Sequence, residues 1–203
     1  MELKDLLKAF SDIMNENREK LIDMDSIVGD GDLGLTMDDG FKAAYESAAA
    51  SDETDQGKLV YFAGKAMANK VPSTMGTLMA SGLMQAGKVL RGKTSLEDTD
   101  YVTFFAAYEE GVMNRGKAAV GDKTFLDGID PAVKALKETL AAGHSLKEAA
   151  EAAASAATFG FENTTTMLAV HGRAATRGEA SRTLADPGAY VAKLMIDAFN
   201  KIA

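Results

Sequence analysis

Apolar residues recur along this chain at intervals of three and four, and almost never in alternation. Leu3, Leu6, Leu7, Phe10, Ile13, Met14 and Leu21 set the pattern. The spacing i, i+3, i+4, i+7 gathers such residues on one face of a single amphipathic helix. Met37, Phe41, Ala44, Tyr45 and Ala48 repeat it, as do Leu59, Phe62, Ala63, Ala66 and Met67. A helix from about Thr77 to Leu90 follows. Further stripes run through Val102, Phe105, Ala106 and Val112, then Val133, Leu136 and Leu140, then the alanine-rich stretch after Ser145. Val191, Leu194, Met195, Ala198, Phe199 and Ile202 form the last. Ala is abundant, Trp is absent and β-branched runs are short, which favours helix over sheet. The reading is all-α: about eight helices in an up-and-down bundle, one domain over residues 1–203.

Local signals divide the helices. Ser95 to Asp98 and Ser145 to Glu148 match capping boxes. Asp130-Pro131 and Asp186-Pro187 read as an N-cap followed by proline in the first turn. None of the three prolines, Pro72, Pro131 and Pro187, is expected inside a helix. Gly82 and Gly87 do fall inside one, where each costs about 1 kcal/mol against alanine. Close approach of a neighbouring helix would offset that cost.

The stretch from Asp25 to Met37 stands apart. Asp25, Asp30 and Asp32 alternate there with Gly29, Gly31 and Gly34. Carboxylates this close repel one another unless a cation sits between them. The donors are all oxygen, with no sulfur and no imidazole, a set suited to Mg²⁺ or Ca²⁺ rather than zinc. An EF-hand is excluded. Counted from Asp30, the sixth position is Leu35 where Gly is required and the twelfth is Phe41 where Glu is required. A Mg²⁺-nucleotide loop and a solvated Asp-Gly turn both remain. The helix after it would offer first-turn N–H groups to a phosphate.

Three other polar stretches interrupt the stripes. Val71 to Thr77 reads as a helix connection capped by Ser73 or Thr74, or as a second phosphate-contacting turn. Asn114 to Thr124 is expected to be a loop, and Arg115, Lys117 and Lys123 make it locally basic. His171 to Arg182 is longer than the usual connection of about 2–8 residues. Its three arginines suit charge-assisted bonds to phosphate. His144 reads as a lone exposed turn residue, and no Ser–His or Cys–His nucleophile pair is visible. If the four stretches meet at one end of the bundle, that end is a Mg²⁺-nucleotide site.

Composition narrows the classes. The 203 residues carry a formal net charge of −8, which argues against a general nucleic-acid binder. There is no cysteine, hence no disulfide framework and no thiolate metal site, in keeping with a cytoplasmic protein. The charged N-terminus predicts no signal peptide. No apolar run approaches the ~18–20 residues of a membrane span.

In this order the motifs resemble the nucleotide-binding L subunit of dihydroxyacetone kinases, over nearly the whole chain. The resemblance rests on Asp25, Asp30, Asp32 and Gly34; on Gly116, Lys117, Gly121, Asp122, Lys123 and Thr124; on Gly172, Arg173 and Ala174; and on Asp186, Pro187, Gly188 and Ala189. It implies a closed barrel of eight antiparallel helices with ADP or ATP bound at one end. It also implies that Asp25, Asp30 and Asp32 ligate two Mg²⁺ ions bridging the nucleotide phosphates, and that phosphate lies along Leu33, Gly34, Leu35 and Thr36. A second turn at Ser73, Thr74 and Met75 joins the nucleotide site, with Gly116 and Phe125 beside the adenine. Arg173 and the Asp186-Pro187-Gly188 turn close over the nucleotide, with Arg173 at the transferring phosphate.

The implied activity is Mg²⁺-dependent phosphoryl transfer to a short ketose held on a separate K subunit. The donor is ATP, or a phosphotransferase-system M subunit that rephosphorylates bound ADP. A homodimer is left open. Two departures stand out: Leu33 replaces the family's frequent His or Cys, and Met75 replaces a hydroxyl. They keep two other readings in view, a non-catalytic Mg-ADP sensor and a kinase for another short ketose such as a tetrulose.

Overall fold

The N-terminal stripe does not form one helix. Asn17 interrupts it, with backbone angles (φ −106°, ψ 10°) outside the helical range. Its side-chain amide donates to the Ile13 carbonyl at 2.9 Å. Its Oδ1 accepts from the Tyr190 hydroxyl at 3.1 Å, across the molecule. A short polar side chain that competes for backbone groups is a weak helix former, and here a distant tyrosine fixes the break.

The structure, a computed structural model, describes Met1–Ala203. It holds α1 (Leu3–Glu16), α2 (Arg18–Val28), α3 (Leu33–Ala49), α4 (Gln56–Lys70), α5 (Thr74–Val89), α6 (Asp98–Gly116), α7 (Phe125–Ala141), α8 (Leu146–Asn163) and α9 (Pro187–Ile202). Two 3₁₀ segments, Thr164–Thr166 and Arg173–Ser181, lie between α8 and α9, and there is no strand. The extra helix beyond the expected eight is α2. It packs on the outside of α3, while α1, α3, α4, α5, α6, α7 and α9 follow one another around a ring that closes where α9 meets α1. Helix α8 lies against α7 and α9. No helix is long and apolar enough to cross a membrane.

The stripes meet in one core of 46 buried residues. Its centre is aromatic: Phe105 stands 6.4 Å from Phe10, 5.1 Å from Phe104 and 5.1 Å from Phe199, ring centre to ring centre. The edge-on rings match the geometry that aromatic quadrupoles prefer. The helical glycines are sites of close approach. A Cβ on Gly87 would lie 2.5 Å from the Tyr61 amide nitrogen and 2.6 Å from the Gly57 carbonyl oxygen of α4. One on Gly82 would lie 2.5 Å from the Tyr108 ring.

Three expected boundaries move. Pro131 lies inside α7, whose N-cap is Thr124 and not Asp130. Proline leaves the carbonyl four residues back, that of Asp127, without its helical N–H. Gly160 of α8 fits against that carbonyl, where a Cβ would come within 2.2 Å of the oxygen. Helix α6 is capped by Glu97 and Asp100, not by Ser95 and Asp98. It also runs on through Asn114 and Arg115 to Gly116, so the basic loop is shorter than expected. Ser145, Glu148, Ser73 and Asp186 cap as read.

Between α6 and α7, Glu109 is pushed up to about 7, first by desolvation and then by Asp130. Asp130 also pairs with Lys134 at 2.8 Å. The protonated form is the one that folding favours. Its contribution is therefore complete below the ordinary glutamate value of 4.5 and is lost as pH rises through about 7. Glu109→Gln is expected to raise Tm above pH 7 and to leave it unchanged below pH 4.5, which a calorimetric pH series would read.

Candidate functional site

Up-and-down connectivity brings alternate connections to the same end. The α2–α3, α4–α5, α6–α7 and α8–α9 connections share it, and specific contacts link them in a chain. A cavity of about 260 Å³ is lined by Leu35, Thr36 and Asp39 of α3 together with Lys70, Val71, Pro72 and Ser73 of the α4–α5 turn. Arg173 pairs with Asp30 at 2.5 Å. His171 meets Asp122 at 2.9 Å. A Cβ on Gly116 would lie 3.1 Å from Leu78 of α5, and the Gly188 backbone packs on the Phe125 amide nitrogen that starts α7.

The carboxylates occupy a tight turn between two helix ends. Asp25 sits in the last turn of α2, and no basic residue balances it there. Asp32 is the N-cap residue of α3, yet its side chain makes no cap bond. Gly31 turns the chain between them at φ 77°. One carboxylate oxygen from each of Asp25, Asp30 and Asp32 lies within 4.8 Å of the others. The Asp32 carboxyl is held above its usual value, first by desolvation and then by the charges of Asp30 and Asp25, with Arg173 opposing. The C-terminal dipole of α2 adds partial negative charge to the same spot. All-oxygen donors, mutual repulsion and a helix C-terminus together fit a hard divalent cation.

The backbone beside them suits an anion. Asp25 Oδ2 already accepts from the Leu33 N–H at 3.2 Å. The Gly34 and Leu35 N–H groups belong to the first turn of α3 and have no partner within the helix. Glycine at position 34 has a packing reason, because a Cβ would come 2.2 Å from the Arg18 carbonyl oxygen of α2.

The remaining expected residues divide by burial. Leu35, Thr74 and Arg173 are exposed, Ser73, Met75, Gly116 and Gly188 are half-buried, and Thr36 is buried. Ser73 Oγ is occupied as a cap, accepting from the Gly76 N–H at 3.1 Å. Leu33 turns into the core, so the family's polar position after the third aspartate is here a core position. Phe125 is also core, its ring 5.9 Å from that of Tyr108. Asp186 is buried, caps α9 through the Ala189 N–H at 2.7 Å, and is pushed up to about 7 chiefly by burial.

Two residues outside the expected set prove central. Lys123 is buried with its Nζ on the carbonyl oxygens of Thr164 (2.7 Å), Met167 (3.2 Å), Ser181 (2.6 Å) and Arg182 (3.1 Å). Asp122 accepts from the Ala119 N–H at 2.7 Å and holds His171. In the sequence both belong to the motif from Gly116 to Thr124, and Lys123 adds to its positive charge, but neither feature points to a contact with remote backbone.

The DAK2 domain family matches residues 27–201. The chain is 33% identical to the PEP-dependent dihydroxyacetone kinase, ADP-binding subunit DhaL, of Escherichia coli (strain K12), over 94% of this chain and 90% of that protein. It is 32% identical to the L-erythrulose kinase of Pectobacterium atrosepticum, over 97% of this chain and 34% of that protein. The dihydroxyacetone kinase from C. freundii in complex with AMP-PNP and Mg²⁺ has the same fold, with a TM-score of 0.73 at 20% identity, over 98% of this chain and 33% of that one. The chain thus spans nearly all of the E. coli subunit but about a third of the other two proteins. A family match over residues 27–201, together with 33% identity across nearly the whole of both chains, means that the chain belongs to the DAK2 domain family, and to the DhaL type within it.

Proposed function

We propose that this chain is the nucleotide-binding, phosphoryl-transfer subunit of a dihydroxyacetone kinase, acting on a short ketose held by a separate K subunit. The observation that carries the reading is the juxtaposition at one end of the bundle. Three carboxylates within 4.8 Å of one another adjoin the N-terminal turn of α3. Relatives named as ADP-binding subunits of such kinases, and a like-folded enzyme described with AMP-PNP and Mg²⁺, support it.

In this reading Asp25, Asp30 and Asp32 hold two Mg²⁺ ions, which when bound neutralise phosphate oxygens and orient the transferring group. The first-turn N–H groups of α3 bind phosphate, with Thr36 and the Ser73–Met75 turn alongside. Gly116 and Phe125 form the adenine side. Arg173, now on Asp30, exchanges that carboxylate for phosphate oxygens, and the Asp186-Pro187-Gly188 turn supports the closed connection. The chain itself supplies no nucleophile, since the attacking hydroxyl belongs to the substrate.

Similarity to an L-erythrulose kinase favours a second acceptor, a four-carbon ketose. Similarity to PEP-dependent subunits favours ADP rephosphorylated by an M subunit over exchangeable ATP. A non-catalytic Mg-ADP sensor is the remaining alternative, and turnover with a cognate K subunit rejects it. The test is calorimetric titration of ADP and ATP into stripped protein, with Mg²⁺ and with EDTA. Tight binding that needs Mg²⁺ is expected, with slow release of ADP if the phosphate comes from an M subunit. No binding in either buffer overturns the proposal.

A further inference from the structure

We infer that Lys123 is a positioning residue: its buried ammonium ties both ends of the α8–α9 connection and so holds Arg173 over the acidic turn. The effect on nucleotide rests on the reading above, whereas the effect on the connection does not. The four carbonyls on Lys123 Nζ come in two pairs. Thr164 and Met167 lie where the chain leaves α8, and Ser181 and Arg182 lie where it returns toward α9. A lysine ammonium has only three protons, so four acceptors engage all of them and leave none free for a ligand. The buried end of Lys123 therefore joins the two ends of a loop whose middle, residues 168–180, carries His171 and Arg173, with the more exposed Arg182 bond to Thr166 beside it.

Little else holds that loop. Of residues 165–185, Ala169 and Ser181 alone are buried. Apolar burial, the usual glue of a connection against a bundle, is nearly absent. The other ties are polar: Arg182 Nη1 donates to the Thr166 carbonyl at 3.1 Å, and the Val170 N–H donates to the Asp122 carbonyl at 3.3 Å. Ser181 Oγ accepts from the Ala169 N–H at 3.1 Å and donates to the Gly178 carbonyl at 2.7 Å. His171 rests on Asp122, the residue next to Lys123. The Arg173–Asp30 pair is exposed, which limits its strength. Lys123, by contrast, is only 3% exposed and sits at φ 62°, a backbone region that side chains rarely enter. Burial pushes the Lys123 ammonium below its usual value, with nearby Asp186 opposing the fall and Arg182 adding to it. The Thr164 and Ser181 carbonyls also accept from the Met167 and Leu184 N–H groups, each at 3.2 Å, so removing the ammonium leaves the Met167 and Arg182 carbonyls as the ones that lose their cation without that backbone support.

Lys123→Gly is the informative substitution, because glycine suits the backbone angle and only the side chain is lost. Lys123→Met is the companion, keeping an apolar stem without the charge. Limited trypsin digestion and amide exchange are read first, in metal-free protein without nucleotide. Cleavage after Arg173 or Arg177 and exchange across residues 168–182 are expected to accelerate at least ~10-fold in a variant that keeps its helical circular dichroism. Propylammonium is expected to slow cleavage again in Lys123→Gly, whereas tetramethylammonium at equal concentration is not, because it has no N–H to donate.

ADP release is then followed in the presence of Mg²⁺. It is expected to quicken at least ~10-fold while Mg²⁺ binding without nucleotide stays within about twofold, since the carboxylates are untouched. Cleavage and exchange within about twofold of the unmodified protein in whichever variant folds would overturn the inference. So would a loosened connection with unchanged ADP release. Failure of the unmodified protein to bind ADP would count against the proposed function instead, and leave the digestion result to decide the role of Lys123.

Discussion

Asp32→Asn is expected to weaken Mg²⁺-dependent ADP binding and, with a K subunit present, turnover by on the order of 100-fold or more. The argument is geometric. Three carboxylate oxygens within 4.8 Å of one another form a site whose strength depends on the number of charges facing the cation. Asn at position 32 preserves size and one oxygen but removes a charge. The metal-free protein should respond in the opposite direction, because one of three mutually repelling charges is gone. A higher Tm in EDTA combined with lost binding in Mg²⁺ would separate a ligand from a structural residue. Asp25→Asn and Asp30→Asn should follow the same pattern, although Asp25→Asn also alters the acceptor of the Leu33 N–H and Asp30→Asn frees Arg173. Full nucleotide affinity in all three variants would sink the metal assignment.

Phe105→Ala is expected to cost about 3–5 kcal/mol of stability. For a chain of this size that corresponds to a Tm lower by roughly 10 °C. Phe105 is wholly buried and meets Phe10, Phe104 and Phe199, so three helices, α1, α6 and α9, lose packing at once. Its position beside the α1–α9 contact that closes the ring makes collapse around the cavity difficult. Phe159→Ala is the control. That ring is 68% exposed, and its loss should change stability by less than about 0.5 kcal/mol. Differential scanning calorimetry of the two variants would decide, and equal losses would mean that the ring does not close as described.

The helical stripes were legible because periodicity is a local property: each reports which face of one helix is wet. Caps were legible where the capping residue acts on its own helix, as at Ser73, Ser145 and Asp186. Reading failed where a distant residue set the outcome. Asn17 breaks α1 from α2 with help from Tyr190, more than 170 positions away. Pro131 is accommodated inside α7 because Gly160, on another helix, fits against the orphaned Asp127 carbonyl. Leu33, next to a ligand candidate in sequence, points to the opposite side because the chain has entered a helix by then.

The site divides along the same line. The charge cluster of Asp25, Asp30 and Asp32 lies within eight residues, and its repulsion is evident from composition alone. That the helix after it shares a cavity with the Pro72 turn, and that Arg173 reaches Asp30, followed from the way the ring closes. Most of all, sequence showed Lys123 as a cation within a family-like motif, with no sign of what it binds. That its charge is spent on four carbonyls from the two ends of a remote loop was decided by tertiary structure, since backbone carbonyls carry no trace in the residue code. Helices, their wet and dry faces, and a cation-seeking turn were all readable from residues a few positions apart. Tertiary structure decided which turns meet and which charges remain free for a ligand, because both depend on where the ring brings distant backbone together.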